Sequence, residues 1–302
     1  MREPPVIRML SDGKRLHLQD GPIDLILEAF GTQGARNAAY RAAARRFMTV
    51  LNELCSELPF LRQPATAFSV LPSGTVARRM ARSVAPFADR LFITPMAAVA
   101  GAVAEEILFA MTAHTPLTRG YVNNGGDIAL HLADGEHFTI GMVDRDDRPS
   151  LFGLMQIYAS QRVRGIATSG WRGRSFSLGI ADAVTVLAKT AAMADVAATI
   201  VANAVDLPGH PAIFRLPACQ IAPDNDLRDR LVTRDVGQLC PFEIEKALKA
   251  GVCLAQELQS QGLLAAAAIH LQGQTRILGP VEVASKLSVA EHTRLARSAT
   301  HA

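Results

Sequence analysis

The chain is short of aromatic residues, of lysine, of paired cysteines and of long apolar runs, and each shortage closes off a class of function. Phe, Trp and Tyr make up 5% of its 302 residues, with a single tryptophan, so Ala, Val, Leu and Ile must fill the core. Stacking platforms for single-stranded nucleic acid are thereby excluded. The four cysteines, Cys55, Cys219, Cys240 and Cys253, are scattered without a C-x-x-C pair, which excludes a disulfide framework or a cysteine zinc site and leaves buried free thiols as the expectation. The most apolar windows, Met96 to Ala104 and Leu263 to Ile269, are about half of the ~18 residues that a membrane span needs, so no crossing of a bilayer is expected. No apolar segment follows Met1 to Leu10, and a cytoplasmic location is expected.

What is present is an ordinary globular composition. Hydrophobic residues make up 49% and charged residues 20%, enough to bury a core and too apolar for wholesale disorder. The balance of 31 basic against 28 acidic residues leaves +3, too weak a field to draw nucleic acid or a membrane surface. Only five of the basic residues are lysine. Arginine's planar fork suits phosphate and carboxylate, although base composition of the genome produces the same bias.

Periodicity predicts an α+β architecture of antiparallel strand groups and long packed helices. Short strands broken by Asp12-Gly13 and Asp20-Gly21 are expected over Val6 to Glu28. Apolar residues at three- and four-residue steps predict a long helix over Arg36 to Leu58, and further helices are expected at Thr75 to Ala85, Pro95 to Phe109, Ala191 to Val205 and Phe242 to Leu258. Alternation on either side of Asp134-Gly135 predicts a hairpin of Ile128–Leu132 with Phe138–Met142, followed by strands at Leu151 to Ala159, Arg162 to Thr168, Ala183 to Ala188 and Leu263 to Leu271. Residues 1–279 are read as a single compound domain, with a strand-and-helix part to residue 90, a motif-bearing core over 91–206 and a helix and strand over 207–279. A mobile polar tail is expected from Pro280 to Ala302.

Three segments carry chemistry. On the helix from Ala191, Asp195, Thr199 and Asn203 recur every fourth position, which puts a carboxylate, a hydroxyl and an amide on one face among buried neighbours. A buried carboxylate must be satisfied, either by a hard cation such as Mg²⁺, with Asp195 and Thr199 as oxygen ligands, or by backbone donors or solvent. The loop Thr168-Ser169-Gly170-Trp171-Arg172-Gly173-Arg174-Ser175 crowds hydroxyls, glycines and two arginines, a mixture that suits phosphate and equally an exposed arginine-bearing turn. In Asn123-Asn124-Gly125-Gly126-Asp127 the glycines permit backbone to approach a ligand, and the same residues make a tight turn. No H-E-x-x-H and no G-x-S-x-G is present, so zinc and serine hydrolases are excluded as readings.

Taken in order, these segments resemble the ApbE family of flavin transferases, which use FAD and Mg²⁺ to attach FMN to a threonine or serine of a target protein. Pro95-Met96-Ala97-Ala98-Val99-Ala100-Gly101 is similar to the family's D-L-G-A-I-A-K, Asn124-Gly125-Gly126-Asp127 to its N-x-G-G-D/E loop, and Thr168-Ser169-Gly170 to its T-S-G. Val184-Thr185-Val186 followed by Ala194-Asp195-Val196-Ala197-Ala198-Thr199 resembles its V-T-V and A-D-A-L-A-T. The family's lysine falls on Gly101, and its H-I-I-D-P-x-T-G segment has no counterpart between Trp171 and Ala183, where Asp182 is the one carboxylate left. The resemblance implies a T-fold-related α+β fold and a short cytoplasmic branch of the family. It also implies a flavin or other nucleotide as ligand, an acceptor protein as partner, and metal ligation by Asp195, Thr199 and the carbonyl of Ala98. Asn124, Gly125, Gly126, Asp127, Thr168, Ser169 and Gly170 would hold the nucleotide, Arg172 and Arg174 its phosphate, and Asp182 would act as general base. A non-catalytic flavin carrier and a scaffold without ligand stay open, as does homo-oligomerisation.

Overall fold

The computed structural model describes residues 4–65, 71–143 and 151–279. The tail expected from Pro280 lies outside the described residues. In chain order the strands are β1 (Val6–Met9), β2 (Leu16–Asp20), β3 (Ile23–Phe30), β4 (Arg119–Asn124), β5 (Asp127–Leu132), β6 (His137–Val143), β7 (Leu151–Tyr158), β8 (Gly165–Ser169), β9 (Ala183–Ala188), β10 (Ile213–Pro217), β11 (Leu231–Val236), β12 (Ala266–Leu271) and β13 (Gln274–Leu278). The helices are α1 (Gln33–Ser56), the single turn α2 (Leu58–Leu61), α3 (Thr75–Val84), α4 (Val99–Thr112), α5 (Ala191–Ala204), the single turn α6 (Ala218–Ile221) and α7 (Pro241–Ser260). The mixed α+β class expected from periodicity is the one observed.

The chain forms two compact units, each assembled from separate stretches of sequence: residues 1–136, 162–167 and 187–196 make one, and 137–161, 168–186 and 197–302 the other. In the first, β1 to β5 form an antiparallel meander in which the turns dictate the register. Asp20 faces Ile23 across Gly21 (φ +56°), and Asn124 faces Asp127 across Gly125 (φ +64°) and Gly126 (φ +108°). Two-residue connections of this kind need positive φ at these positions, which glycine adopts without strain. The expected break at Asp12-Gly13 falls between β1 and β2, and that at Asp20-Gly21 comes where β2 ends and the turn to β3 begins.

Alternation in β3 buries Ile23, Leu25, Leu27 and Ala29 on one face. Against β2 and β3 packs α1, through Ala39, Ala43, Phe47, Val50 and Leu54, its start capped by the Thr32 hydroxyl, which accepts from the Ala35 amide. The α4 helix is packed by α1, α3, β4 and β5. With the preceding 3₁₀ turn it forms an apolar stretch, Pro95–Thr112, of 18 residues, longer than the window read from sequence and long enough to span a bilayer. Its setting is that of a core helix: Ala102, Val103, Ile107 and Met111 are fully buried, and buried Glu106 is bound by Arg46 (2.7 Å) and Arg79 (2.8 Å).

The hairpin expected across Asp134-Gly135 is corrected. Ile128–Leu132 belongs to β5, which pairs with β4 and β8, and β6 pairs with β7. The two-residue Gly125-Gly126 turn closes β4 onto β5 with unbroken register, and that pairing, invisible to a reading that had no strand at residues 119–124, takes the edge that the expected hairpin required.

In the second unit α7 packs on the β12–β13 hairpin, whose β12 strand is buried on both faces. Pro241 opens α7, and the Glu243 carboxylate accepts from the Cys240 amide (2.7 Å) in a capping box. The cysteines are free, as expected, but they are not buried: Cys55, Cys240 and Cys253 are exposed and Cys219 is half-buried. Cys55 and Cys253 fall on the outer faces of α1 and α7, off the apolar stripes that the core uses, and Cys240 sits at a helix cap.

Candidate functional site

The start of α4 has no polar side chain to cap it, because position 98 is alanine. A helix beginning this way leaves its first amides without partners, and in a packed interior they must find an acceptor elsewhere. They find it in Asp195, whose Oδ2 accepts from the Gly101 amide at 3.0 Å and whose carboxylate also takes the Ala100 amide. The arrangement is reciprocal. Glu105 of α4 accepts from the Ala192 amide in the first turn of α5 (2.7 Å), and the Thr190 hydroxyl accepts from Met193 (3.2 Å). Each helix thus supplies a carboxylate to the positive end of the other.

This exchange requires backbone contact, which the sequence permits at Gly101. A Cβ there would lie 2.3 Å from the Ala191 carbonyl oxygen. The family's lysine has no room at this position. The alanine richness of both helices has the same cause, since small side chains let the backbones approach.

Asp195 keeps partial solvent access, yet protein atoms surround it closely enough that desolvation pushes its carboxyl up to about 7, against the opposing pull of the Gly101 and Ala100 amides. Thr199 follows one turn later on α5, half-buried, and Ala98 is fully buried. The third member of the stripe, Asn203, serves structure: its Oδ1 accepts from the Leu178 amide (2.9 Å) and the Ser177 hydroxyl (3.3 Å).

The Asn124–Asp127 motif is a hairpin tip, and it is tied to the same helix start. Asn124, buried, donates from Nδ2 to the Ala100 carbonyl at 3.1 Å, and buried Asp127 stands opposite it in the β4–β5 register. Asn123 Oδ1 accepts from the Gly126 amide (2.8 Å), which holds the glycine pair in its turn. Two segments read separately in the sequence therefore meet at the first turn of α4.

The arginine-bearing loop lies in the second unit. The Thr168 and Thr185 hydroxyls are 3.0 Å apart, Ser169 is half-buried, and Gly170 is so close to the Asp182 carbonyl that a Cβ would sit 2.4 Å from it. Arg172 lays its guanidinium over the Trp171 ring (4.2 Å) and donates from Nε to Asp182 Oδ1 (2.7 Å), an oxygen that also accepts from Trp171 Nε1 (3.2 Å). The second Asp182 oxygen accepts from the Gln272 amide at 2.6 Å. Arg174 is exposed. Among the described residues no group of three or more His, Cys, Asp and Glu side chains converges as a metal site.

Sequence reasoning missed two participants. Glu105 was legible in principle as one of two acids interrupting an apolar helix. Gln272, at a positive φ of 42°, ties its side chain to Leu239 and Gly237 while its amide holds Asp182, and no local pattern marks it.

Comparison with known proteins places the chain in a family. The family model described as AbpE bacteria matches residues 7–277. The chain is 40% identical over 129 residues to a UPF0280 protein of Methanopyrus kandleri, a match taking in 42% of this chain and 48% of that one. It is 38% identical over 122 residues to a UPF0280 protein of Methanothrix thermoacetophila, 39% and 49% of the two chains. It thus spans about half the length of these two relatives. A UPF0280 protein of Methanoregula boonei is 33% identical over 193 residues, 61% of this chain and 76% of its own. Among solved structures, the apo form of the Pseudomonas stutzeri flavinyl transferase ApbE is similar with a TM-score of 0.46 at 10% identity, covering 91% of this chain and 95% of that one. With nearly its whole length matched by the family model, the chain belongs to the AbpE bacteria family and is a member of the ApbE-like superfamily.

Proposed function

We propose that this chain binds a flavin nucleotide, FAD or a related phosphate ester, together with Mg²⁺, and transfers FMN to a hydroxyl of an acceptor protein or cleaves the phosphoanhydride. Family membership supports flavin chemistry at the level of the class. The observation that carries the reading is geometric: Asp195 is held at the start of α4 by the Gly101 and Ala100 amides, with no cationic side chain paired to it among the described residues. Asp195, Thr199 one turn on, and the Ala98 carbonyl are hard oxygen donors of the kind Mg²⁺ takes, with solvent or phosphate oxygens completing six ligands. When bound, the ion would neutralise charge on the phosphate oxygens.

The chain's own groups have these proposed roles. The Asn124–Asp127 tip brings the backbone of Gly125 and Gly126 to the nucleotide, with Asp127 as an acceptor, and Thr168, Ser169 and Gly170 offer hydroxyl and amide donors. Arg172 and Arg174 bind phosphate. Asp182, expected as the general base, has both oxygens engaged by Trp171, Arg172 and Gln272, which supports a positioning role for Arg172 over proton transfer.

The same engagement favours a second reading, a flavin or nucleotide carrier without turnover. Incubation of the full chain with FAD and Mg²⁺ separates the two. Release of AMP, or flavin attached to protein, supports the transferase; saturable binding without turnover supports the carrier; absence of binding overturns both. Asp195→Ala is expected to abolish metal-dependent binding, and persistence of that binding in the variant overturns the metal assignment.

A further inference from the structure

A cleft of about 340 Å³ opens in the first unit beside the C-terminal half of α4, within the range of roughly 300–1,000 Å³ usual for small-molecule sites. Part of its lining is apolar: Leu108 and Phe109 of α4 with Ala129 and Leu130 of β5. Phe109 is 63% exposed, a large aromatic surface left to water at the edge of a cavity.

Another part is basic. Arg79 from α3, Arg164 ahead of β8 and Lys189 ahead of α5 line it, with His131 of β5 beside them. The one acid lining it, Glu105, is already bound to Arg79 Nε (2.9 Å) and to the Ala192 amide (2.7 Å), and Arg79 also binds Glu106 (2.8 Å), so Arg79 is compensated by two carboxylates. Lys189 is exposed and makes no ion pair among the described residues. With Arg79 held by two acids, Lys189 carries the cleft's uncompensated charge, and a cation beside a partly apolar concavity raises the local potential for anions. The start of α5 does not itself hold the anion, because Glu105 and Thr190 occupy its Ala192 and Met193 amides.

We infer that this cleft binds a small organic anion, an apolar body lying on Phe109 and Leu108 with a phosphate or carboxylate head at Lys189 and Arg164. The inference does not depend on the flavin reading. His131 is four residues along β5 from Asp127, about 13 Å at the rise of a strand.

Calorimetric titration of the full chain with phenyl phosphate, benzoate, inorganic phosphate and phenol tests it. At least one of the two aromatic anions is expected to bind saturably, and the tighter of them identifies the head group. Lys189→Glu is expected to weaken that binding about tenfold and Phe109→Ser several-fold; both residues are at the surface, so the fold is not at risk. Arg172→Ala, in the other unit, is expected to leave it unchanged. The inference is overturned if neither aromatic anion saturates, if Lys189→Glu has no effect, if phenol or inorganic phosphate binds as tightly as the aromatic anion, or if Arg172→Ala abolishes the binding.

Discussion

The Asp195 carboxylate caps a helix other than its own, through the Gly101 amide 3.0 Å away and 94 residues earlier in the chain. Because Glu105 caps the start of α5 in return, the two helices are locked at their N-termini by one pair of exchanged carboxylates. Everything proposed for Asp195 has to operate within that lock.

Its ionisation should be visible in stability. The folded-state value, about 7, lies above the unfolded one, so between the ordinary carboxylate range and pH 7 the folded chain holds a proton that the unfolded chain has released, and stability falls as pH rises. Asp195→Asn keeps an acceptor oxygen for Gly101 and removes the charge. In EDTA, urea unfolding of this variant at pH 5 and pH 8 is expected to give a stability advantage over wild type that grows with pH. An advantage that shrinks with pH would contradict the assigned direction.

Glu106 should behave in the opposite way. Burial alone would raise its carboxyl, but the Arg79 and Arg46 guanidinium groups outweigh that and hold it below the usual range. Its contribution is therefore present above the unfolded-state value and is lost as pH falls through the folded-state one. Glu106→Ala leaves Arg46 with Glu53 and Arg79 with Glu105, so it is expected to cost about 1–3 kcal/mol at pH 7, the range for losing charge-assisted hydrogen bonds, with the deficit shrinking in acid.

Gly101→Ala is expected to destabilise by about 3 kcal/mol or more, since its methyl would meet the Ala191 carbonyl at 2.3 Å with only backbone to yield. Gly34→Ala, in the first turn of α1 with open space around it, is expected to be neutral or to stabilise by up to about 1 kcal/mol through helix propensity. Thermal melts of the two variants provide the comparison.

Asp182→Asn should loosen the Trp171–Arg172 stack by weakening its charge-assisted bond. As Trp171 is the only tryptophan, its fluorescence reports this directly. Increased acrylamide quenching is expected, and unchanged quenching would mean that the stack stands without the carboxylate.

The elements that could be read from the sequence are those whose residues talk to near neighbours. The Ala39-Ala43-Phe47-Val50-Leu54 stripe announces α1 at three- and four-residue steps, and Asp20-Gly21 announces its turn, because helix faces and two-residue turns are local requirements. β4 was missed: Arg-Gly-Tyr-Val-Asn-Asn has no clear alternation and is held as a strand by β3 and β5 on its two sides. Missing it led directly to the wrong partner for β5.

The chain's sequence alone determined its composition class, its main helices, the glycine turns and the presence of a carboxylate among buried residues at position 195. Tertiary structure decided what those groups do. It gave Asp195 the amides of Ala100 and Gly101, Asp182 the amide of Gln272 ninety positions on, and Asn124 the carbonyl of Ala100. A buried polar group must find a partner, and local pattern states the need; which distant backbone meets it depends on how closely helices and strands can pack, which here turns on single glycines at 101 and 170.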